Sequence, residues 1–89
     1  MTATTAYQVD VKISGLADRG YLLKLVSVFH SRGIRVRDLH FADQADGRST
    51  LSARFAATST QSVLLRESLR RCVDVTHVEM APGRDWIRL

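Results

Sequence analysis

The chain has 89 residues, of which 45% are hydrophobic and 25% charged, and its formal net charge is +4. This length predicts one domain, since chains divide at roughly 100–200 residues per domain, and the hydrophobic fraction argues against general disorder. Eleven arginines and two lysines carry the positive charge without forming a run, so the charge alone does not indicate a nucleic-acid-binding face.

The single cysteine, Cys72, excludes an internal disulfide and a cysteine-rich zinc site. It shares an apolar helical stripe with Leu65 and Leu69, which favours core packing over a reactive thiol. The N-terminus lacks the basic and apolar regions of a signal peptide, and no stretch reaches the roughly 18 apolar residues of a membrane span. We therefore expect a soluble, cytoplasmic protein that does not bind a membrane.

A strand, a glycine turn and an apolar helix begin the pattern. Residues 7–14 alternate apolar and polar side chains, which predicts a half-buried strand. Residues 15–19 form the predicted turn, and Asp18 is placed to cap a helix that begins at Gly20. Gly33 is predicted to end this helix in the left-handed conformation. The core-facing stripe of the helix consists of Leu22, Leu25, Val26 and Phe29.

A predicted hairpin follows the helix. Its first strand, residues 34–42, changes the phase of its apolar residues after Val36, and a bulge near Asp38 accounts for the change. Residues 43–47 form the turn, in which an Asp-Gly pair is the strongest signal. The inward residues of the next strand are Leu51, Ala53, Phe55 and Ala57.

A second helix and a last strand complete the pattern. Residues 58–60 offer capping side chains for a helix that ends at Arg71, and residues 73–80 form the last strand. The residues of this region that are expected to face the core are Val63, Leu65, Leu69 and Cys72.

The elements follow the order strand, helix, strand, strand, helix, strand. Right-handed crossovers and one hairpin fold this order into an α+β, ferredoxin-like βαββαβ sandwich, in which a four-stranded antiparallel sheet carries both helices on one face. We expect a flexible N-terminus over residues 1–6, this domain over residues 7–80 and a C-terminal tail over residues 81–89.

Motifs for catalysis and for cofactor binding do not occur in the sequence. It contains neither a dinucleotide-binding glycine motif nor a phosphate-binding loop. Its three histidines lack the spacing of metal ligands, and no pair of carboxylates stands in an apolar setting. We therefore expect a non-catalytic protein with no cofactor and no metal ion.

The same element order occurs in RNA recognition motifs, which stack bases on aromatic residues of their two central strands. None of the residues predicted to point outward on those strands is aromatic. They are Gln8, Asp10, Lys12, Thr50, Ser52 and Arg54. We therefore expect no nucleic acid as partner and keep an RNA-binding domain only as a third alternative.

Three segments in order carry a resemblance to a known family. They are Asp-Arg-Gly at residues 18–20 with the apolar helix after it, residues 29–39, and residues 73–78. These segments resemble the ACT domain, and most closely the short regulatory subunits of acetohydroxyacid synthase, over about residues 7–80. In that family a branched-chain amino acid binds where the first helix begins, beside the second strand of a neighbouring domain. The subunit activates a separate catalytic chain, so the resemblance implies a regulatory subunit in branched-chain amino acid biosynthesis.

The resemblance places an effector site on eight residues, which are Asp18, Arg19, Gly20, Tyr21, Leu22, Gly33, Arg35 and Val36. Two of them depart from the family pattern, because Arg19 stands where a proline is usual and Arg35 where an asparagine is frequent. A guanidinium only donates hydrogen bonds and repels the ammonium group of a bound amino acid. We therefore expect weak or altered feedback by the amino acid.

Two kinds of partner are expected from the sheet and from the resemblance. A four-stranded sheet has two edge strands with unpaired backbone groups, which predicts a homodimer through edge strands, with a monomer as the alternative. The resemblance adds a larger, thiamine-diphosphate-dependent catalytic synthase subunit and a small amino acid as effector. The alternative function is a free-standing ACT-type sensor that binds an amino acid and has no synthase partner.

Overall fold

The computed structural model describes residues 3–15 and 19–82, and in these residues it contains four strands and two helices in the predicted order. The elements are β1 (Thr5–Ile13), α1 (Arg19–Ser31), β2 (Arg35–Asp43), β3 (Ser49–Ala57), α2 (Ser59–Arg70) and β4 (Val75–Pro82). The first strand begins at residue 5 and not at residue 7, because Thr5 and Ala6 still pair with β3. The predicted C-terminal tail lies outside the described residues from residue 83 onward.

The four strands form one antiparallel sheet in the order β2-β3-β1-β4. The central strands β1 and β3 pair over their full length, from Thr5↔Ala57 to Ile13↔Ser49. Both helices contribute to the same hydrophobic core as the inner face of the sheet. This is the predicted ferredoxin-like arrangement, and it leaves β2 and β4 as the edge strands.

The alternation predicted for the central strands is confirmed by their burial. Phe55, which is fully buried in β3, lies at the centre of the core. Its ring centroid is 5.8 Å from that of Tyr7 on β1 and 5.7 Å from that of Phe29 on α1. The other core side chains with at most 2% exposure are Val9, Val11, Ile13, Leu25, Leu51, Ala53, Ala57, Leu65 and Leu69.

Gly33 ends α1 as predicted. Its φ is +70°, and its N–H donates to the carbonyl oxygen of His30 at 2.9 Å. The N–H of Ile34 donates to the carbonyl oxygen of Phe29 at 3.0 Å, which completes a Schellman motif. The motif reverses the chain within two residues and brings the buried Ile34 back to the core.

A capping box begins α2. The Thr58 hydroxyl accepts from the N–H of Gln61 at 3.1 Å, and the Gln61 side chain accepts from the N–H of Thr58 at 2.9 Å. The amide group of Gln61 also donates to the carbonyl oxygen of Arg32 at 3.2 Å, which joins the start of α2 to the end of α1.

The predicted bulge in β2 is present. Val36 pairs with Phe55 and Asp38 with Arg54, so Arg37 is the extra residue of the bulge. This extra residue shifts the phase of the strand and places Leu39 and Phe41 opposite the inward residues of β3.

The prediction of a buried Val63 is wrong, because this side chain is 51% exposed. Residues three apart share a helix face, whereas residues two apart do not. Ser62, three residues before Leu65, therefore takes the inward position and is 6% exposed. Its hydroxyl donates to the carbonyl oxygen of Ser59 at 2.7 Å, which satisfies the buried polar group.

Candidate functional site

The predicted effector turn lies between β1 and α1, and the structure describes both of its ends. Gly15 is exposed and has a φ of +90°, and Gly20 is exposed in the first turn of α1. Tyr21 and Leu22 follow it and are half-buried. Asp18, with its predicted capping role, lies outside the described residues, as does the side chain of Arg19.

The loop between α2 and β4 holds both ends of this turn on adjacent carbonyl groups. The N–H of Ser14 donates to the carbonyl oxygen of Asp74 at 2.8 Å, and the hydroxyl of Tyr21 donates to the carbonyl oxygen of Val73. Asp74 has a φ of +71°, a conformation that aspartate tolerates better than most residues. These two bonds fix the points where the chain enters and leaves the turn, and we call them the bracket.

The bracket was not predicted from the sequence, and Val73 and Asp74 do not belong to the last strand as expected. The structure begins that strand at Val75, because the left-handed conformation of Asp74 breaks the extended backbone before it. The only signal in the sequence was an aspartate between the end of a helix and an apolar strand.

Burial changes the titration of two groups beside the bracket. Desolvation raises the pKa of Tyr21 above its ordinary value of 10.0, and the charges of Cys72 and Asp74 raise it further. Desolvation also raises the pKa of Cys72 above 9.0, although the Lys24 ammonium group opposes this shift. The thiol of Cys72 donates to the carbonyl oxygen of Ser68 at 3.4 Å. Cys72 therefore has the properties of a packed thiol and lacks those of an activated nucleophile.

We expect the titration of Tyr21 and Cys72 to lower the stability of the domain at alkaline pH. Because the folded state raises both pKa values, it holds these protons more tightly than the unfolded state does. The stability that this supplies is present below pH about 9 and is lost as the pH rises through 9 to 10 and beyond. Replacing Tyr21 with Phe and Cys72 with Ala should flatten the alkaline fall in unfolding free energy, measured by urea denaturation from pH 8 to 11.

The Tyr21→Phe change has a second expected effect at neutral pH. It removes the hydrogen bond to Val73, which should lower the unfolding free energy at pH 7 by about 0.5–1.5 kcal/mol. An alkaline fall as steep in the double variant as in the wild type would show that neither group contributes to it.

The structure divides the predicted effector residues between two ends of the molecule. Gly20, Tyr21 and Leu22 lie at the start of α1, whereas Gly33, Arg35 and Val36 follow its end. A helix of 13 residues separates the two groups by about 18 Å. One copy of the chain therefore cannot bring them together around a small ligand.

Arg35 and Val36 also lie on opposite faces of the sheet. Val36 is half-buried opposite the core residue Phe55, and it contributes to the face that carries the helices. Arg35 is exposed opposite Ala56 on the other face, which we call the outer face. Side chains of successive strand residues point to opposite sides, so only Val36 lies on the same side of the sheet as the start of α1.

The start of α1 lies at the same end of the molecule as the last residue of β2. The Ser49 hydroxyl is 3.0 Å from the carbonyl oxygen of Gly15 and 2.9 Å from a carboxylate oxygen of Asp43. Gly15 begins the effector turn, and Asp43 ends β2. The start of β2 is consequently at the opposite end, beside the end of α1.

The described residues contain no group of three or more His, Cys, Asp or Glu side chains that could hold a metal ion. Neither helix in residues 3–15 and 19–82 is sufficiently long and apolar to span a membrane. The six outward residues of β1 and β3 occupy the outer face as predicted, in the cross-strand pairs Gln8↔Arg54, Asp10↔Ser52 and Lys12↔Thr50.

No protein-family model matches the chain, and no curated protein matches it. Its fold is similar to the C-terminal domain of the MgtC protein from Mycobacterium tuberculosis, with a TM-score of 0.72, 23% identity and coverage of 91% of this chain and 89% of that one. It is also similar to the ACT domain from GTP pyrophosphokinase of Chlorobium tepidum, with a TM-score of 0.73, 16% identity and coverage of 89% and 100%. A third similar structure is 30S ribosomal protein S6 from Thermotoga maritima, with a TM-score of 0.74, 8% identity and coverage of 96% and 92%. The chain has the ferredoxin-like, ACT-type α+β fold.

Proposed function

We propose that this chain is a non-catalytic regulatory module that binds a small amino acid at the start of α1. The observation that carries the proposal is the bracket, which fixes Ser14 and Tyr21 on both sides of a glycine turn. The turn leads into α1, whose first backbone N–H groups have no partner within the helix and can receive a carboxylate. The similarity of the fold to the ACT domain of a GTP pyrophosphokinase supports the proposal of a regulatory module.

A second copy of the chain supplies the other half of this site in our proposal. Two β2 strands that pair antiparallel place the start of one strand beside the end of the other. Because the effector turn lies beside Asp43 at the end of β2, this arrangement brings Val36 of one copy close to Gly20 of its partner. Two equivalent sites result from one two-fold axis.

Exposed apolar surface on β2 supports this pairing. Leu39, at the centre of the strand, is 38% exposed on the side that carries the helices. Val36 and Phe41 are half-buried on the same side. The other edge strand ends at Pro82, which has no N–H to donate to an added strand. These features favour β2 over β4 as the edge strand that pairs in the proposed homodimer.

The catalytic partner in this proposal is acetohydroxyacid synthase, in keeping with the resemblance of the sequence to its short regulatory subunits. Affinity capture with the tagged full chain from native extract, followed by mass spectrometry and a synthase assay, tests the assignment. Recovery of a thiamine-diphosphate enzyme whose activity rises with added chain is the expected result. Binding of an amino acid without any captured synthase would instead favour the free-standing sensor.

The third alternative, an RNA-binding domain, has the fold of ribosomal protein S6 in its favour. RNA recognition motifs stack bases on aromatic residues, but the outward positions of β1 and β3 hold no aromatic side chain. The ion pair between Arg54 and Asp38 at 3.7 Å also offsets a positive charge on the outer face. We therefore retain the amino-acid-binding module.

Arg35 is expected to weaken amino-acid binding through its charge. Arg35 lies on the outer face of the sheet. Electrostatic interactions nevertheless extend over a Debye length of about 8–10 Å, so its charge makes the electrostatic potential at the proposed effector site more positive. The Arg35→Asn variant should therefore bind valine several-fold to about tenfold more tightly than the wild type, measured by isothermal titration at low salt.

The matched control for this titration is Arg66→Asn, which removes one exposed arginine from α2 and leaves β2 unchanged. Equal gains in both variants would point to a general effect of net charge. An unchanged affinity in Arg35→Asn would remove Arg35 from the site.

A further inference from the structure

The outer face of the sheet carries a cleft of about 360 Å³ where the β2–β3 hairpin lies beside the end of β1 and the start of β4. Its lining residues are Lys12, Gln44, Asp46, Arg48, Ser49, Thr50 and Thr76. Small-molecule sites have volumes of about 300–1,000 Å³, so the cleft has the size of a small ligand. Lys12 and Thr50 place it on the opposite side of the sheet from the helices, whereas Ser49 also contacts Gly15 at the start of the effector turn.

The hairpin that forms one wall of the cleft is held by its own hydrogen bonds. The N–H of Gln44 donates to the carbonyl oxygen of Arg48 at 2.6 Å, and the N–H of Arg48 donates to Asp46 at 3.1 Å. The side-chain amide of Gln44 reaches across to the Thr50 hydroxyl at 3.4 Å. These contacts fix the hairpin residues relative to β3, so the cleft is largely formed before any ligand binds.

Lys12 contributes a positive charge to the cleft. It pairs across the sheet with Thr50 on one side and His77 on the other, and neither residue is acidic. The hydroxyl of Thr76 donates to its backbone carbonyl oxygen at 3.2 Å. Within the described residues, the Lys12 ammonium group has no ion pair or hydrogen bond.

Arg48 adds a second cation. Its Nε atom lies 3.6 Å from a carboxylate oxygen of Asp46, and both side chains are largely exposed. Among the described residues that line the cleft, Asp46 is the one acid, and its ion pair with Arg48 leaves a formal charge of +1 from Lys12, Arg48 and Asp46 together. The remaining polar side chains of the lining are three hydroxyls and one amide, each of which can donate a hydrogen bond as well as accept one.

We propose that this cleft binds a small organic anion through a phosphate or carboxylate group, with Lys12 and Arg48 as the charged ligands. Lysine provides a point charge and arginine a planar pair of donors, which together match an oxyanion. The Thr50 hydroxyl accepts from Gln44 and keeps its own proton available for the ligand. The inference does not depend on the proposed effector site.

Nuclear magnetic resonance titration of the full-length chain tests this inference. Inorganic phosphate, pyrophosphate and citrate are the probes, and they distinguish a phosphate ligand from a carboxylate ligand. We expect saturable shifts of the amide signals of Lys12, Gln44 and Thr50 with at least one probe. Because each substitution removes a charged hydrogen-bond donor, Lys12→Gln and Arg48→Gln should each lower the affinity about tenfold.

The matched control is Arg66→Gln, which removes an exposed charge from α2 on the opposite side of the sheet. Its affinity for the probe should stay within about twofold of the wild type, because the sheet lies between this charge and the cleft and salt screens exposed charges. Equal losses in all three variants, shifts spread over the whole surface, or no saturation with any probe would overturn the proposal. Shifts confined to Gly20, Tyr21 and Leu22 would also overturn it, while leaving the proposed effector site intact.

Discussion

Replacing Phe55 with alanine is expected to lower the unfolding free energy by about 3–5 kcal/mol, the largest effect of any single truncation in this domain. Phe55 is fully buried on a central strand and contacts rings from both a strand and a helix. A chain of 89 residues has a stability of about 4–13 kcal/mol at 0.05–0.15 kcal/mol per residue. The variant should therefore lose a large part of this stability.

Urea denaturation followed by circular dichroism measures this loss, and Leu64→Ala provides the control. Leu64 is 42% exposed on α2, so its truncation should cost less than about 1 kcal/mol. A loss for Phe55→Ala no larger than that of the control would contradict the placement of the three rings at the centre of the core.

Replacing Leu39 with lysine is expected to convert the dimer into a monomer. The two-fold axis of the proposed β2 pairing lies close to Leu39, so the variant brings two ammonium groups together in a partly desolvated interface. An uncompensated buried charge costs about 3–5 kcal/mol, which raises the dissociation constant at least about hundredfold. The folded monomer should survive, because Leu39 is 38% exposed and a lysine there can extend into solvent.

Sedimentation velocity over a concentration series measures this change, and Leu23→Lys is the matched control. Leu23 is 68% exposed on α1 and lies off the strand edge, so its substitution should leave the dimer intact. A wild-type chain that is monomeric at all concentrations, or a Leu39→Lys variant that stays dimeric, would contradict pairing through β2.

The periodic parts of this fold could be predicted from the sequence, and the reason is physical. β1 and β3 are flanked on one face by helices and on the other by water, so burial imposes a strict alternation on both strands. The end of α1 at Gly33 could also be predicted, because a helix end in the left-handed conformation favours glycine. The bulge at Arg37 was visible as a phase change in the apolar residues of β2.

The features that the sequence did not reveal depend on contacts between distant residues. The bracket joins Ser14 and Tyr21 to a loop more than 50 residues away, and neither carbonyl acceptor has a sequence signature. The division of the predicted effector residues between two ends of the molecule follows from the length of α1 and not from any motif. The predicted burial of Val63 is wrong for a different reason, because Val63 and Leu65 are two residues apart and do not share a helix face.

The central claim is that the effector site is shared between two copies, and a mixture of two variants tests it most directly. Gly20→Asp places a carboxylate where the ligand's own carboxylate should bind, while an acidic residue in the first turn suits the helix. Val36→Phe occupies the part of the proposed ligand site that β2 lines, and phenylalanine is an apolar residue suited to a strand. The ligand is the amino acid that gives the largest thermal shift of the wild type among the twenty.

Isothermal titration of the two variants, separately and mixed in equal amounts, gives the decisive comparison. Neither variant alone should bind, and random pairing should restore one intact site in each mixed dimer, so that about a quarter of the protomers bind in the mixture. Full binding by Val36→Phe alone, or no recovery on mixing, would contradict a site formed by two copies of the chain.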